Sequence, residues 1–186
     1  MEPQKSLNSI ISGFIRNEKN PEILDIFEII QKYCEENPDV NVNINTIISN
    51  AGFALDSDVL NYQFRRVCED GNLKVAQWLL SVKPDIDISA KDKYGFSNVS
   101  FNIACMKGHL EVAKWLLSVK PDIDISIDEY MFSRACRNGH LEVAKWLLSV
   151  EPDINISIDK YIFNDACSNG HLEVAKWLLS VKPDIN

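Results

Sequence analysis

Apolar residues recur along most of this chain at helical spacing, interrupted at regular points by glycine and proline. From Gly139 to Val150, at about 100° per residue, Leu141, Ala144 and Leu148 fall on one side. Val143 and Leu147 widen that arc, and Trp146 and Val150 flank it. Glu142, Lys145 and Ser149 fill the remaining strip, with Glu142 and Lys145 placed i, i+3 to pair in solvent. So broad an apolar arc predicts a helix packed against several others. Pro152 ends it and pushes the preceding residue out of the α region. Asp153-Ile154-Asn155-Ile156-Ser157-Ile158 then alternates every two residues, which predicts a short extended segment or hairpin arm.

A shorter helix is expected over residues 128–137 and again over 159–168. Phe132, Ala135 and Cys136 share i, i+3, i+4 spacing, as do Phe163, Ala166 and Cys167. Phe101, Ala104 and Cys105 match them, and Phe64, Val67 and Cys68 do so earlier, with Leu60 extending the stripe. These Phe and Cys positions are expected to stack as ladders through the core. Ser126 and Glu129 form a capping box, and Ser157 can cap the next short helix with Asp159 in its first turn. Gly71, Gly108, Gly139 and Gly170 fall between the two helices, where a left-handed residue closes a helix end.

The whole unit is repeated. GHLEVAKWLLSVKPDI stands unchanged at 108–123 and 170–185, recurs at 139–154 with Glu151 for Lys, and has a looser copy, GNLKVAQWLLSVKPDI, at 71–86. Trp78, Trp115, Trp146 and Trp177 are therefore spaced by 37, 31 and 31 residues. A fixed period in this range predicts stacked supersecondary units rather than one globular core.

Ala135-Cys136-Arg137-Asn138-Gly139-His140-Leu141-Glu142-Val143-Ala144 with Leu147-Leu148, then Pro152-Asp153-Ile154-Asn155, resembles the ankyrin repeat, whose segments read A-A-x-x-G-H-L-E-x-V, L-L-L and A-D-V-N. The match runs over about residues 57–186 and recurs four times in register. It implies an all-α fold, an ankyrin-type helical solenoid of stacked helix-turn-helix units with short hairpin-like connections. The family period is about 33 and its signature opens T-P-L-H. Tyr130-Met131-Phe132-Ser133 and Tyr161-Ile162-Phe163-Asn164 stand there instead. The 37-residue unit carries Asp92-Lys93-Tyr94-Gly95, which matches the family's D-x-x-G tip, so uneven fingers are expected, one long and the rest short.

Residues 1–56 lack the block. Leu7, Ile10, Ile11, Phe14 and Ile15 form one amphipathic stripe. Residues 21–37 form another helix, with Pro21 near its first turn and Ile23, Phe27, Ile30 and Cys34 facing inward. Residues 1–43 thus read as a diverged N-terminal cap and 44–56 as an insertion with a short helix near 46–54. Residues 57–186 hold about four units. The last unit has no polar cap after it, so Trp177, Leu178 and Val181 are expected to be partly bare, and a second copy is one candidate to cover them.

Composition narrows the function. The formal charge is −8, which disfavours nucleic acid and anionic membrane as partners and favours a basic protein surface. No apolar run approaches a membrane span, and the interrupted N-terminal stretch is a poor secretory signal. The expected setting is intracellular and cytoplasmic. Ile-, Asn- and Lys-rich usage fits an AT-rich genome, such as that of a large DNA virus, in which case the setting is the host cytoplasm. Four of the five cysteines repeat in register, which reads as small buried thiols in a reducing compartment.

Chemistry has few candidates. Cys105–His109, Cys136–His140 and Cys167–His171 are each Cys-x₃-His, inviting a zinc or thiol-nucleophile reading. The intervening glycine breaks the helix, the Cys lies on the apolar stripe, and no second pair completes a zinc set within a unit. In the family this His serves the turn. Asp85/Asp87 and Asp122/Asp124 could share a cation but read more simply as solvated carboxylates. No phosphate loop, nucleophile elbow or H-E-x-x-H occurs. No enzyme, cofactor or metal is expected.

Ankyrin resemblance implies a protein-binding scaffold or adaptor that uses its concave face, the hairpin tips and the ends of the first helices. By position these are Glu69 and Asp70, Met106 and Lys107, Arg137 and Asn138, and Ser168 and Asn169. They precede the four turn glycines and vary while the neighbouring block does not. Lys93, Tyr94 and Phe96 add a tip, with Tyr130 and Tyr161 behind. Aromatic and Arg side chains are frequent interface anchors. A rival reading is a substrate receptor that brings targets to a ubiquitin ligase or other host machinery through the N-terminal helices. The hairpin context of Asn155 resembles that in which ankyrin asparagines are hydroxylated.

Overall fold

The computed structural model describes residues 7, 9–14, 23–37, 57–91, 97–123, 125, 129–152, 154 and 160–183. Their regular structure is entirely α-helical, and no strand occurs among them. The helices are α1 (Ile23–Glu36), α2 (Ser57–Glu69), α3 (Leu73–Val82), α4 (Val99–Lys107), α5 (Leu110–Val119), α6 (Glu129–Arg137), α7 (Leu141–Val150), α8 (Lys160–Ser168) and α9 (Leu172–Val181), with a helical stretch at 9–14 before them. The chain divides into two compact units, one of residues 1–67 with 74–86, the other of 68–73 with 87–186.

In the first unit Leu7 and Ile11 are buried together with Ile26 and Ile30 of α1, Leu60 and Phe64 of α2, and Val75, Ala76 and Leu79 of α3. Phe27 packs against Trp78 with ring centroids 5.7 Å apart. Ile10, expected on the stripe, is exposed. Ile26 takes the inward position next to Phe27, because the helix turns its 26/30 edge to the core. The side chains of Ile15, Ile23 and Cys34, and the helix expected at 46–54, lie outside the described residues.

In the second unit α4, α6 and α8 pack side by side, and each packs on the helix that follows it. The connection is the same three times. Gly108, Gly139 and Gly170 have φ of 84°, 81° and 77°, the left-handed region. The glycine N–H donates to the Cys carbonyl three residues back, at 3.0–3.2 Å, and the following His N–H donates to the Ala carbonyl five back, at 2.8–2.9 Å. This is a Schellman closure. The same His then starts the next helix, since Ala113, Ala144 and Ala175 N–H donate to His109, His140 and His171 carbonyls at 3.0 Å. Helix and helix are thus joined by two residues at 108–109 and by three at 138–140 and 169–171.

The longer helices end where proline forbids continuation. Ser118, Ser149 and Ser180 donate their hydroxyls to the Trp carbonyl three residues back, at 2.6–2.7 Å, adding a second donor to a carbonyl of the last helical turn. Their solvent stripes carry the expected i, i+3 pairs, Glu111–Lys114, Glu142–Lys145 and Glu173–Lys176, at 2.9–3.0 Å.

Packing recentres the apolar arc. Val112, Ala113 and Leu116 are buried in α5, and Val143, Ala144 and Leu147 in α7, whereas Leu141 and Leu148 are only half-buried and Val150 is exposed. A wheel treats the helix alone. Here the buried edge is the one lying against the shorter helices. The Phe ladder holds at Phe101 and Phe132, which are buried and receive Trp146 and Trp177 from the next hairpin at 6.2 and 6.1 Å. It weakens at Phe163, half-buried, and the Cys ladder fails at Cys167, which is exposed. Equivalent sequence gives equivalent burial only where another hairpin follows.

Of the alternating segment 153–158 only Ile154 is described, and it is buried; the equivalent segments of earlier units alternate in burial but not in backbone form. Ile86, Ile88, Ile123 and Ile125 are buried and Asp85, Asp87 and Asp122 exposed, yet the described residues there form turns, not strands. The long finger at 92–96, and the caps proposed at Ser126 and Ser157, fall outside the described residues. The base of that finger is closed, with Asn98 and Val99 N–H donating to Ser89 and Ala90 carbonyls at 3.3 and 3.4 Å.

Candidate interaction surface

The variable residues before the turn glycines form a row, but they are not free of structural duty. Asn138 Nδ2 donates to the Met106 carbonyl at 2.8 Å, and Asn169 Nδ2 donates to the Arg137 carbonyl at 3.1 Å. Each reaches back one hairpin to the open end of the preceding short helix. Lys107 pairs with Glu69 at 3.5 Å and Arg137 with Asp165 at 3.5 Å. The view that variation here marks freedom from packing is therefore corrected, because the contacts run between units, at sequence separations of about one period, where a single unit shows nothing.

The histidines complete this clasp. His109 Nε2 lies 2.8 Å from the Glu69 carbonyl, which fixes that nitrogen as the donor. His140 hydrogen-bonds the backbone of Met106 in the same way. Each ring also sits on the glycine of the preceding turn. A Cβ at Gly71, Gly108 or Gly139 would meet Nδ1 of His109, His140 or His171 at 2.4–2.5 Å. Gly170 has nothing within 4 Å. Burial, set partly against the hydrogen bond to Met106 and reinforced by the nearby His109 and His171, holds His140 below the usual histidine range.

Of the three Cys-x₃-His pairs, two hold the thiol in the core, at Cys105 and Cys136, while Cys167 of the third is exposed. Cys136 is buried in the core with its thiol pushed up to about 12 by desolvation, and Cys105 is raised further for the same reason. A protonated buried thiol is neither nucleophile nor metal ligand, while His140 is committed to Met106. Among the described residues no cluster of three His, Cys, Asp or Glu has metal-binding geometry. Asp85 and Asp122 pair with Lys83 and Lys120 at 2.7 and 2.9 Å, and those hydrogen bonds lower both carboxyls.

Asp70, Lys107, Arg137, Asn138, Ser168 and Asn169 are exposed, whereas Glu69 and Met106 are half-buried beneath the clasp. Tyr161, 63% exposed, stands seven residues before Ser168, roughly 10 Å of helix rise away. Asn164 lies between them, also exposed, so Tyr161, Asn164 and Ser168 share one face of α8. Asn102 of α4 and Ser133 of α6 occupy the equivalent middle positions. Sequence reading passed over these three, although their spacing from the helix-end residues was visible. Lys93, Tyr94, Phe96 and Asn155, and the side chain of Tyr130, lie outside the described residues. Among those described, no helix is long and apolar enough to cross a membrane.

The family model for ankyrin repeats (3 copies) matches residues 64–158 and, in an overlapping register, 101–186. The chain belongs to the ankyrin-repeat family, an all-helical class whose stacked hairpins generally serve as protein-interaction modules without catalysis. No curated protein matches the chain.

Proposed function

We propose that this protein is a non-catalytic adaptor that binds a partner protein along the exposed faces and C-terminal ends of α4, α6 and α8. The observation that carries this reading is one row of dissimilar, exposed residues set on an otherwise near-identical ankyrin array. Asp70, Lys107, Arg137, Asn138, Ser168 and Asn169 supply charge and amide groups, and Tyr161 supplies an aromatic anchor. A formal charge of −8 supports a partner with a basic surface. Residues 1–56 serve in this reading as a diverged cap to the array of 57–186.

The clasp dictates which variants test it. Charge reversal at Lys107 or Arg137 would set like charges against Glu69 or split the Asp165 pair, disturbing the array together with the surface. Tyr161→Ala with Ser168→Lys alters one exposed face of α8 without touching an inter-unit bond. Quantitative capture from lysate should lose specific partners with this variant while its helical circular dichroism stays unchanged. Retention of every specific partner would refute the surface.

A further inference from the structure

Two of the four turn glycines follow an asparagine. Asn138-Gly139 and Asn169-Gly170 are the two Asn-Gly pairs of the chain, while Asp70 and Lys107 hold the equivalent places before Gly71 and Gly108. Asparagine is chemically labile, most of all before glycine, where no side chain shields the following backbone nitrogen from the asparagine Cγ. Both asparagines are exposed to water. The folded array nevertheless holds each reacting group. Gly139 N–H, the latent nucleophile, donates to the Cys136 carbonyl at 3.1 Å, and Gly170 N–H to the Cys167 carbonyl at 3.0 Å. The leaving amide is held by the neighbouring hairpin, Asn138 Nδ2 on the Met106 carbonyl at 2.8 Å and Asn169 Nδ2 on the Arg137 carbonyl at 3.1 Å.

We propose that Asn138 and Asn169 are guarded modification sites, inert while neighbouring hairpins are docked and deamidated by water when a joint between hairpins opens, so that the opened joint is covalently marked. On opening, the Gly139 amide nitrogen gives up its proton to solvent and attacks Asn138 Cγ. An N–Cγ bond forms, the Cγ–Nδ2 bond breaks, and Nδ2 leaves as ammonia. Water then adds to the cyclic imide and opens it to aspartate or isoaspartate. The net change is amide plus water to carboxylate plus ammonium, with no oxidant or reductant. Asn169 and Gly170 follow the same course.

The product opposes closure. An aspartate at 138 has no donor for the Met106 carbonyl and turns its charge toward that oxygen. It also places an anion at the C-terminal end of α6, where the helix dipole disfavours one. Isoaspartate lengthens the backbone by one methylene inside a turn whose hydrogen bonds are set residue by residue. The chemistry is independent of any partner bound along the same face.

The full chain is incubated at mildly alkaline pH, and conversion of each asparagine is followed by peptide mass. Asn138 and Asn169 should react at least about tenfold more slowly in the native protein than in the same chain held in denaturant. Gly108→Ala opens one joint from its far side, since its Cβ would meet His140 Nδ1 at 2.4 Å and displace the ring that shares the Met106 backbone with Asn138. It leaves the sequence around Asn138 unaltered, so it should speed Asn138 at least about threefold relative to Asn169 in the same molecule. Asn138→Asp should lower the urea midpoint more than Asn138→Ala, which loses the bond without adding the charge. Equal rates in native and denatured chain would overturn the guarding. Equal acceleration of both asparagines in Gly108→Ala would overturn the joint as the guard. A midpoint for Asn138→Asp no lower than that of Asn138→Ala would overturn the claim that the product opposes closure.

Discussion

Alanine at Gly108 and alanine at Gly170 are the same chemical change in the same turn, yet the structure separates their costs. Both glycines hold left-handed φ, 84° and 77°, and an L-residue there costs about 1–2 kcal/mol. At Gly170 the new methyl enters open space, so the cost stops there. At Gly108 the Cβ would lie 2.4 Å from His140 Nδ1 and 2.8 Å from Cγ and Cε1. The ring must swing away and release Met106, a hydrogen bond worth about 0.5–1.5 kcal/mol net, along with its packing on the turn. Gly108→Ala should therefore cost about 1–2 kcal/mol more than Gly170→Ala by urea denaturation. A cycle with His140→Ala separates the clash from the hairpin's position in the array. Without the ring, Gly108→Ala should fall to about the cost of Gly170→Ala. Equal costs in the parent protein, or a coupling energy near zero, would refute the clasp.

Other consequences can be measured singly. His140 is held below the usual histidine range in the folded state, so the unfolded chain binds its proton more readily. Stability should be intact above about pH 6.5 and fall as pH drops below it. His140→Gln should flatten that slope in thermal melts, and an unchanged slope would place the titration elsewhere. Cys167 should react with thiol reagents in the native protein, while Cys105 and Cys136 react only on unfolding; equal rates would contradict the burial difference. Phe132→Ala should cost about 3–5 kcal/mol as a buried aromatic deletion, and Phe163→Ala clearly less, compared by denaturant midpoint. Lys145→Ala should shift stability by no more than about 0.5 kcal/mol, because its pair with Glu142 is solvent-exposed.

What the sequence made legible was whatever one unit determines by itself. Helical spacing, Pro152 and the glycines at positive φ are local, and the register of the block placed each helix to within a residue or two. What stayed hidden was what one unit does to the next. Gly139 was legible as a turn residue, but not as the seat of a ring 32 positions later. Asn138 and Asn169 looked free because their partners, the Met106 and Arg137 carbonyls, lie a full period away. Leu148 was overrated and Val143 underrated because a helical wheel has no neighbours. Cys167 matches Cys136 in sequence but not in burial, because sequence identity does not show which described hairpins have a neighbour packed on that side. The candidate surface was legible in its helix-end row, while Asn164 required the face of α8 to be drawn.

The most direct test of the binding surface is site-specific photocross-linking in lysate, with a photoreactive phenylalanine analogue at Tyr161 compared with the same group at Lys145. The first lies on the proposed face and the second on the solvent stripe of α7. The account predicts a discrete protein adduct from position 161 and none from 145. Adducts from 145 alone, or the same adducts from both positions, would contradict it.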